Sequence, residues 1–156
     1  MLCDLAAKSL NLTFYSHEIR SPPNATVLSA VGTGAGNLSA AGWGTFIMAD
    51  NPERVSEVPS SKQIGRSTSL GALTSSQGSG GGIFSISKIT FNEAWAKYNK
   101  STITFTGTFA LPNRPYEIIV LGGTGYFRDA RGFALAPPGL TTLPVYTTKW
   151  EVFLTK

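Results

Sequence analysis

Short runs of β-branched and aromatic residues recur along nearly the whole sequence, each closed off by Gly, Pro, Asn or Ser. None carries the periodicity of a helix several turns long. The pattern predicts strands over 10–19, 25–30, 45–49, 64–73, 83–90, 101–109, 116–121, 133–136 and 146–154. The clearest alternation sets Thr102, Thr104, Thr106 and Thr108 against Ile103 and Phe105. Ser21-Pro22-Pro23-Asn24 and Asn51-Pro52 read as breaks, and 32–44, 55–62 and 75–82 as loops. Many short strands with turn signals between them make a sandwich or a barrel. A closed barrel leaves no sheet edge, and one of about eight strands can hold a single small ligand.

The 156 residues suffice for one domain, here 10–156, preceded by a disordered segment over 1–9. Nine Phe, five Tyr and three Trp supply its core. Charged residues are only 14 %, with Ser and Thr taking their place, as is common in extracellular β proteins. The net charge of +4 reads as a solvated basic surface or as a means of holding acidic wall polysaccharide. No Lys/Arg cluster is dense enough for nucleic acid, and no stretch has the length of a membrane helix. Cys3 is alone, so no internal disulfide forms. N-x-S/T acceptors occur at Asn11, Asn24, Asn37 and Asn99, four of the seven Asn, which points to the secretory pathway. The first ten residues lack the apolar core of a signal peptide, so a secreted protein would carry its signal outside this sequence.

Few residues offer chemistry. His17 is the sole histidine, no nucleophile elbow surrounds any Ser, and one His with one Cys makes a poor zinc site. Gly32-Thr33-Gly34-Ala35-Gly36 lacks phosphate-loop spacing. Gly122-Gly123-Thr124-Gly125 follows a strand but precedes no amphipathic helix. The sequence therefore predicts no cofactor, no metal and no oxidising centre.

Five segments resemble, in order, motifs of the plant dirigent family. Thr13-Phe14-Tyr15-Ser16-His17-Glu18-Ile19 is similar to its first strand, F-Y-x-H-D-I. Trp43-Gly44-Thr45 through Asp50-Asn51-Pro52 resembles its glycine, β-run and D-[DN]-P. Ser61-Lys62-Gln63-Ile64-Gly65-Arg66 and Tyr98-Asn99-Lys100-Ser101-Thr102-Ile103 resemble S-x-x-[IV]-G-R and Y-N-G-S-T-L. The most specific, running from Leu121-Gly122-Gly123-Thr124-Gly125 through Phe127 to Ala130-Arg131-Gly132, resembles V-G-G-T-G-x-F-x-x-A-R-G.

The resemblance implies an eight-stranded antiparallel up-and-down barrel with a central pocket, a homotrimer, and secretion to the apoplast. It implies binding of phenylpropanoid radicals or quinone methides and stereoselective coupling or cyclisation, as in lignan formation. A laccase or peroxidase makes the radicals. The alternatives are a cyclase or dehydratase acting on a quinone methide, or a non-catalytic wall- or carbohydrate-binding barrel.

Carried over residue by residue, Glu18 takes the place of a pocket Asp, and reads equally as a surface carboxylate. The family's second Asp is absent. Tyr116 stands near the position of its Arg, with Arg114 the substitute if the loop is shifted. Glu18 and Tyr116 are thus the implied catalytic groups, and Phe14, Asp50, Arg66, Arg114, Phe127 and Arg131 the implied substrate contacts. Asp50 reads equally as a turn cap and Arg131 as structural. The small, polar residues over 67–72 imply a wider pocket.

Overall fold

In a computed structural model the described residues are 8–32, 34, 40–76, 82–109, 114–142 and 144–156. They form ten strands: β1 Ser9–Ile19, β2 Val27–Val31, β3 Phe46–Arg54, β4 Gln63–Leu73, β5 Ile83–Phe91, β6 Thr102–Phe109, β7 Tyr116–Thr124, β8 Arg131–Ala136, β9 Leu140–Thr142 and β10 Val145–Thr155. Eight of them pair in the order β1-β10-β8-β7-β6-β5-β4-β3, and β3 returns to β1 through Tyr15 opposite Arg54 and Ser16 opposite Glu53. This is the expected closed antiparallel barrel. β2 and β9 are additions that lengthen it along β3 and β10. The termini meet where Lys8 and Lys156 exchange backbone hydrogen bonds of 2.9 and 3.0 Å. Residues 1–7, with Cys3, lie outside the described set.

Asn51-Pro52 does not end a strand, contrary to the sequence expectation. β3 runs through both to Arg54. Asp50 donates its N–H to Thr26, on the β2 side of β3. Residues two apart in a strand point their N–H groups the same way, so the nitrogen of Pro52 also faces that side. There the neighbour of β3 changes from β2 to β1, and no ladder bond to β4 is lost.

Aromatic side chains close one end. Asn92 caps a short 3-10 turn, Glu93–Tyr98, by accepting from the Ala94 N–H, and a second such turn spans Gly125–Phe127. Together they bring Phe91, Trp95, Tyr98, Tyr126 and Phe127 into contact at ring separations of 5.0–5.9 Å. The glycine-rich motif serves this closure. A Cβ on Gly123 would lie 2.2 Å from the Thr102 carbonyl oxygen, and one on Gly132 (φ +151°) 1.9 Å from that of Phe153. Only glycine lets these backbones approach so closely.

Candidate functional site

Strand alternation aims a second set of residues into the other half of the barrel, which is hollow. A cavity of about 690 Å³ opens at the end opposite the aromatic plug. Phe14 from β1, Phe105 and Phe109 from β6, Tyr116 and Ile118 from β7 and Trp150 from β10 give it an apolar, largely aromatic wall. Phe109 meets Tyr116 and Trp150 edge-on at 5.4 and 6.0 Å, fixing the ring orientations. The wall made by β4 and β5 is different: Ser67, Ser69, Gly71, Ser85 and Ser87 face the cavity, Ser69 paired opposite Ser87. Three residues of the 67–72 stretch, Ser67, Ser69 and Gly71, thus reach the cavity, and each of them is small.

Glu53 lines the cavity where β3 meets β1, and none of its surface reaches solvent. Its Oε1 accepts hydrogen bonds from the Ser16 hydroxyl and, at 2.5 Å, from the Ser67 hydroxyl. Its Oε2 has no partner among the described residues, and neither does Oδ1 of Asn51, two positions earlier on the same inward face. Desolvation by burial pushes the Glu53 carboxyl up to about 7. The two serine donors oppose that shift and the charge of Glu18 adds to it. Sequence reasoning missed Glu53, because reading Asn51-Pro52 as a break ended the strand before it. The alternation Ile47, Ala49, Asn51, Glu53 would have found it.

Glu18 lies in the same cavity, nearer the mouth. Arg20 engages it as an anion, donating from Nε at 3.0 Å and from a terminal nitrogen at 2.8 Å to one carboxylate oxygen. The Arg20 guanidinium in turn sits 4.1 Å above the Tyr146 ring. Arg114 also lines the cavity, stacked 4.3 Å over the Tyr116 ring and donating to the Pro137 carbonyl. The structure thus brings Phe14, Glu18, Arg114 and Tyr116 together.

It separates the other four expected substrate contacts from the cavity. Asp50 and Arg66 stand on the outward faces of β3 and β4 and pair with each other at 2.8 Å, about half exposed. Such a pair contributes about 0–1 kcal/mol. Phe127 belongs to the aromatic plug. Arg131 donates to the Ala130 carbonyl and borders a shallow outer groove beside Gly122 and Thr124. In each case strand parity or the closing turns, not the motif, decide the direction of the side chain. His17 points away from the cavity yet is buried, held between Thr147 Oγ1 and the Ser56 carbonyl at 3.0 and 3.2 Å. Asn11, Asn24 and Asn99 are exposed, whereas Asn37 lies outside the described residues.

The sequence profile of the Dirigent-like protein family matches residues 9–153. The chain is 29 % identical to Dirigent protein 1 of Arabidopsis thaliana over 130 residues, covering 82 % of this chain and 68 % of that protein. To Dirigent protein 11 of the same plant it is 32 % identical over 128 residues, covering 82 % and 64 %. It therefore spans about two thirds of the length of these curated relatives. Among solved structures it is similar to the pterocarpan synthase dirigent protein GePTS1, with a TM-score of 0.81 at 22 % identity, over 96 % of this chain and 88 % of that one.

Proposed function

Because the chain belongs to the dirigent-like family, we propose that its cavity binds phenolic radicals or quinone methides and directs their stereoselective coupling or cyclisation, an external oxidase supplying the radicals. One observation carries this reading: an apolar, aromatic-walled cavity of small-molecule size that also holds a protonatable carboxyl, Glu53. Radical coupling has little barrier, so selectivity rests on which faces of the bound rings meet, and a rigid wall of edge-packed aromatics sets those faces. Cyclisation of a quinone methide needs in addition a proton donor beside the ring. Similarity to Pterocarpan synthase 1 of Glycyrrhiza echinata, 27 % identical over 130 residues, favours the cyclisation branch of this reading.

The test is chiral chromatography of products from a panel of phenols oxidised by laccase. Addition of the protein is expected to give an enantiomeric excess on at least one substrate, and none without oxidase unless a quinone methide is supplied. Racemic products throughout, on radicals and methides alike, would sink the reading and leave a wall-binding barrel.

The same reading makes the protein secreted, glycosylated at Asn11, Asn24 and Asn99, and trimeric through its exposed apolar outer face. On that face Leu28, Met48, Leu70 and Ile86 lie side by side across β2 to β5. Sedimentation of the secreted protein before and after glycosidase treatment reads both features. A trimer mass with a removable glycan is expected, and a bare monomer would refute them.

A further inference from the structure

We propose that Glu53 is the catalytic acid of this cavity and that Glu18, the carboxylate favoured by family resemblance, is not. The inference rests on the reading of the cavity as a quinone-methide site. Its basis is geometric. The barrel closes at Ser16 opposite Glu53, and the closure delivers one hydroxyl from β1 and one from β4 to the same carboxyl oxygen, Oε1. An oxygen that accepts two donors is the carbonyl-like one, so the acidic proton belongs on Oε2, which no described residue engages. An unpartnered polar atom in a buried site is costly unless a ligand completes it. Glu18 differs in the nature of its partner: both donors to its one engaged oxygen come from the Arg20 cation, which forms an ion pair with it. One cavity thus holds a protonated carboxyl in its depth and an ion-paired one at its mouth, environments that divide acid from spectator.

The step balances without a co-reactant. Oε2 delivers its proton to the methide carbonyl oxygen, and the ring becomes an aromatic phenol as its exocyclic carbon turns electrophilic. A hydroxyl of the same molecule attacks that carbon, forming the new C–O bond, and its proton returns to the Glu53 carboxylate. The result is an isomerisation with no change of oxidation state. The groups facing Glu53 are Ser16 and Glu18 from β1, Ser67 from β4 and Asn51 from its own strand. Arg20 lies behind Glu18. Tyr116 on β7, with Arg114 just before it, stands four strands round the barrel. The charge acting on Glu53 is that of Glu18, an acid that is itself paired, and it adds to the burial that favours the protonated form.

The experiment uses a synthetic para-quinone methide with a pendant phenol, without oxidase, and follows kcat/KM against pH. In the wild type, turnover is expected to fall as pH rises past about 7, where Glu53 ionises. Glu53→Gln should lose about 100-fold or more while still binding a stable phenol. Ser67→Ala should move the alkaline limb to higher pH, since it removes a donor that favours the carboxylate; a merely structural serine would leave the limb in place. Glu18→Gln should move the limb to slightly lower pH, since it removes a charge that raises the Glu53 carboxyl, and should cost far less turnover than Glu53→Gln. Wild-type turnover that survives in Glu53→Gln with the same pH profile, or that is lost in Glu18→Gln alone, overturns the assignment while the cavity reading stands. No wild-type turnover on methides and no enantiomeric excess on radicals overturns the reading itself.

Discussion

Raising the pH from about 4.5 to 7 is expected to remove about 3 kcal/mol of the protein's stability through Glu53 alone. The folded chain holds this carboxyl protonated to about 7, whereas in the unfolded chain it ionises near its ordinary value of 4.5. Below that value both states carry the proton and the contribution is whole. As pH rises the unfolded state releases its proton first, and unfolding gains about 1.4 kcal/mol for each pH unit between the two values. Above about 7 both states are ionised and the contribution is gone. His17 works in the other direction: desolvation holds its pKa below 6.5, so acidification favours an unfolded chain in which it can take a proton. The two are separated by subtraction. Denaturant melts of wild type and Glu53→Gln at pH 4.5, 6 and 8 should differ by a term that declines with pH, leaving the His17 slope in the variant. Parallel curves would mean that Glu53 is not held protonated in the fold, and the acid assigned to the cavity would lose its support.

That carboxyl shows where legibility in the sequence stopped. Turn residues and alternation delimited the strands, because a barrel wall is wet on one side and dry or cavity-facing on the other. In the structure that alternation puts Phe14, Glu18 and Tyr116 inside, residues that the family resemblance had named. The same alternation puts Asp50 and Arg66 outside: Asp50 is odd by one against the inward series Ile47, Ala49, Asn51, and Arg66 against Ser67 and Ser69. Motif resemblance overrode parity in those two cases, and the structure restores it. Pro52 was a harder obstacle. Proline breaks a strand only if its missing N–H was wanted by a neighbour, and which neighbour β3 has at that point depends on the detour of the chain between β1 and β2. That is a tertiary fact, absent from any local window. The Gly122 to Gly132 segment was recognised as specific, and the structure shows its glycines in close backbone contact with β6 and β10.

Phe127 provides the sharpest separation between holding the barrel shut and serving its cavity. It sits in the same motif as the structural glycines and was expected to touch substrate. In the structure it is 1 % exposed and contacts Phe91, Tyr98 and Tyr126 at 5.3, 5.0 and 5.2 Å, all at the closed end. Phe127→Ala removes most of a ring from a site whose neighbours are anchored by the cap of Asn92 and by the β5 and β7 ladders, so collapse into the space is limited. The expected cost is about 3–5 kcal/mol, or a fall of about 10 °C in Tm for a chain of this size. The cavity lies beyond Ile89 and Phe105 and shares no wall with Phe127. Whatever fraction remains folded should bind a phenolic ligand with unchanged Kd, whereas Trp150→Ala should weaken binding by removing part of the aromatic wall. Calorimetric melts of both variants, paired with ligand titrations below the lower Tm, check this. A Phe127→Ala protein that melts like the wild type but binds poorly would return Phe127 to the cavity and show that the plug is not what keeps the two ends of the barrel distinct.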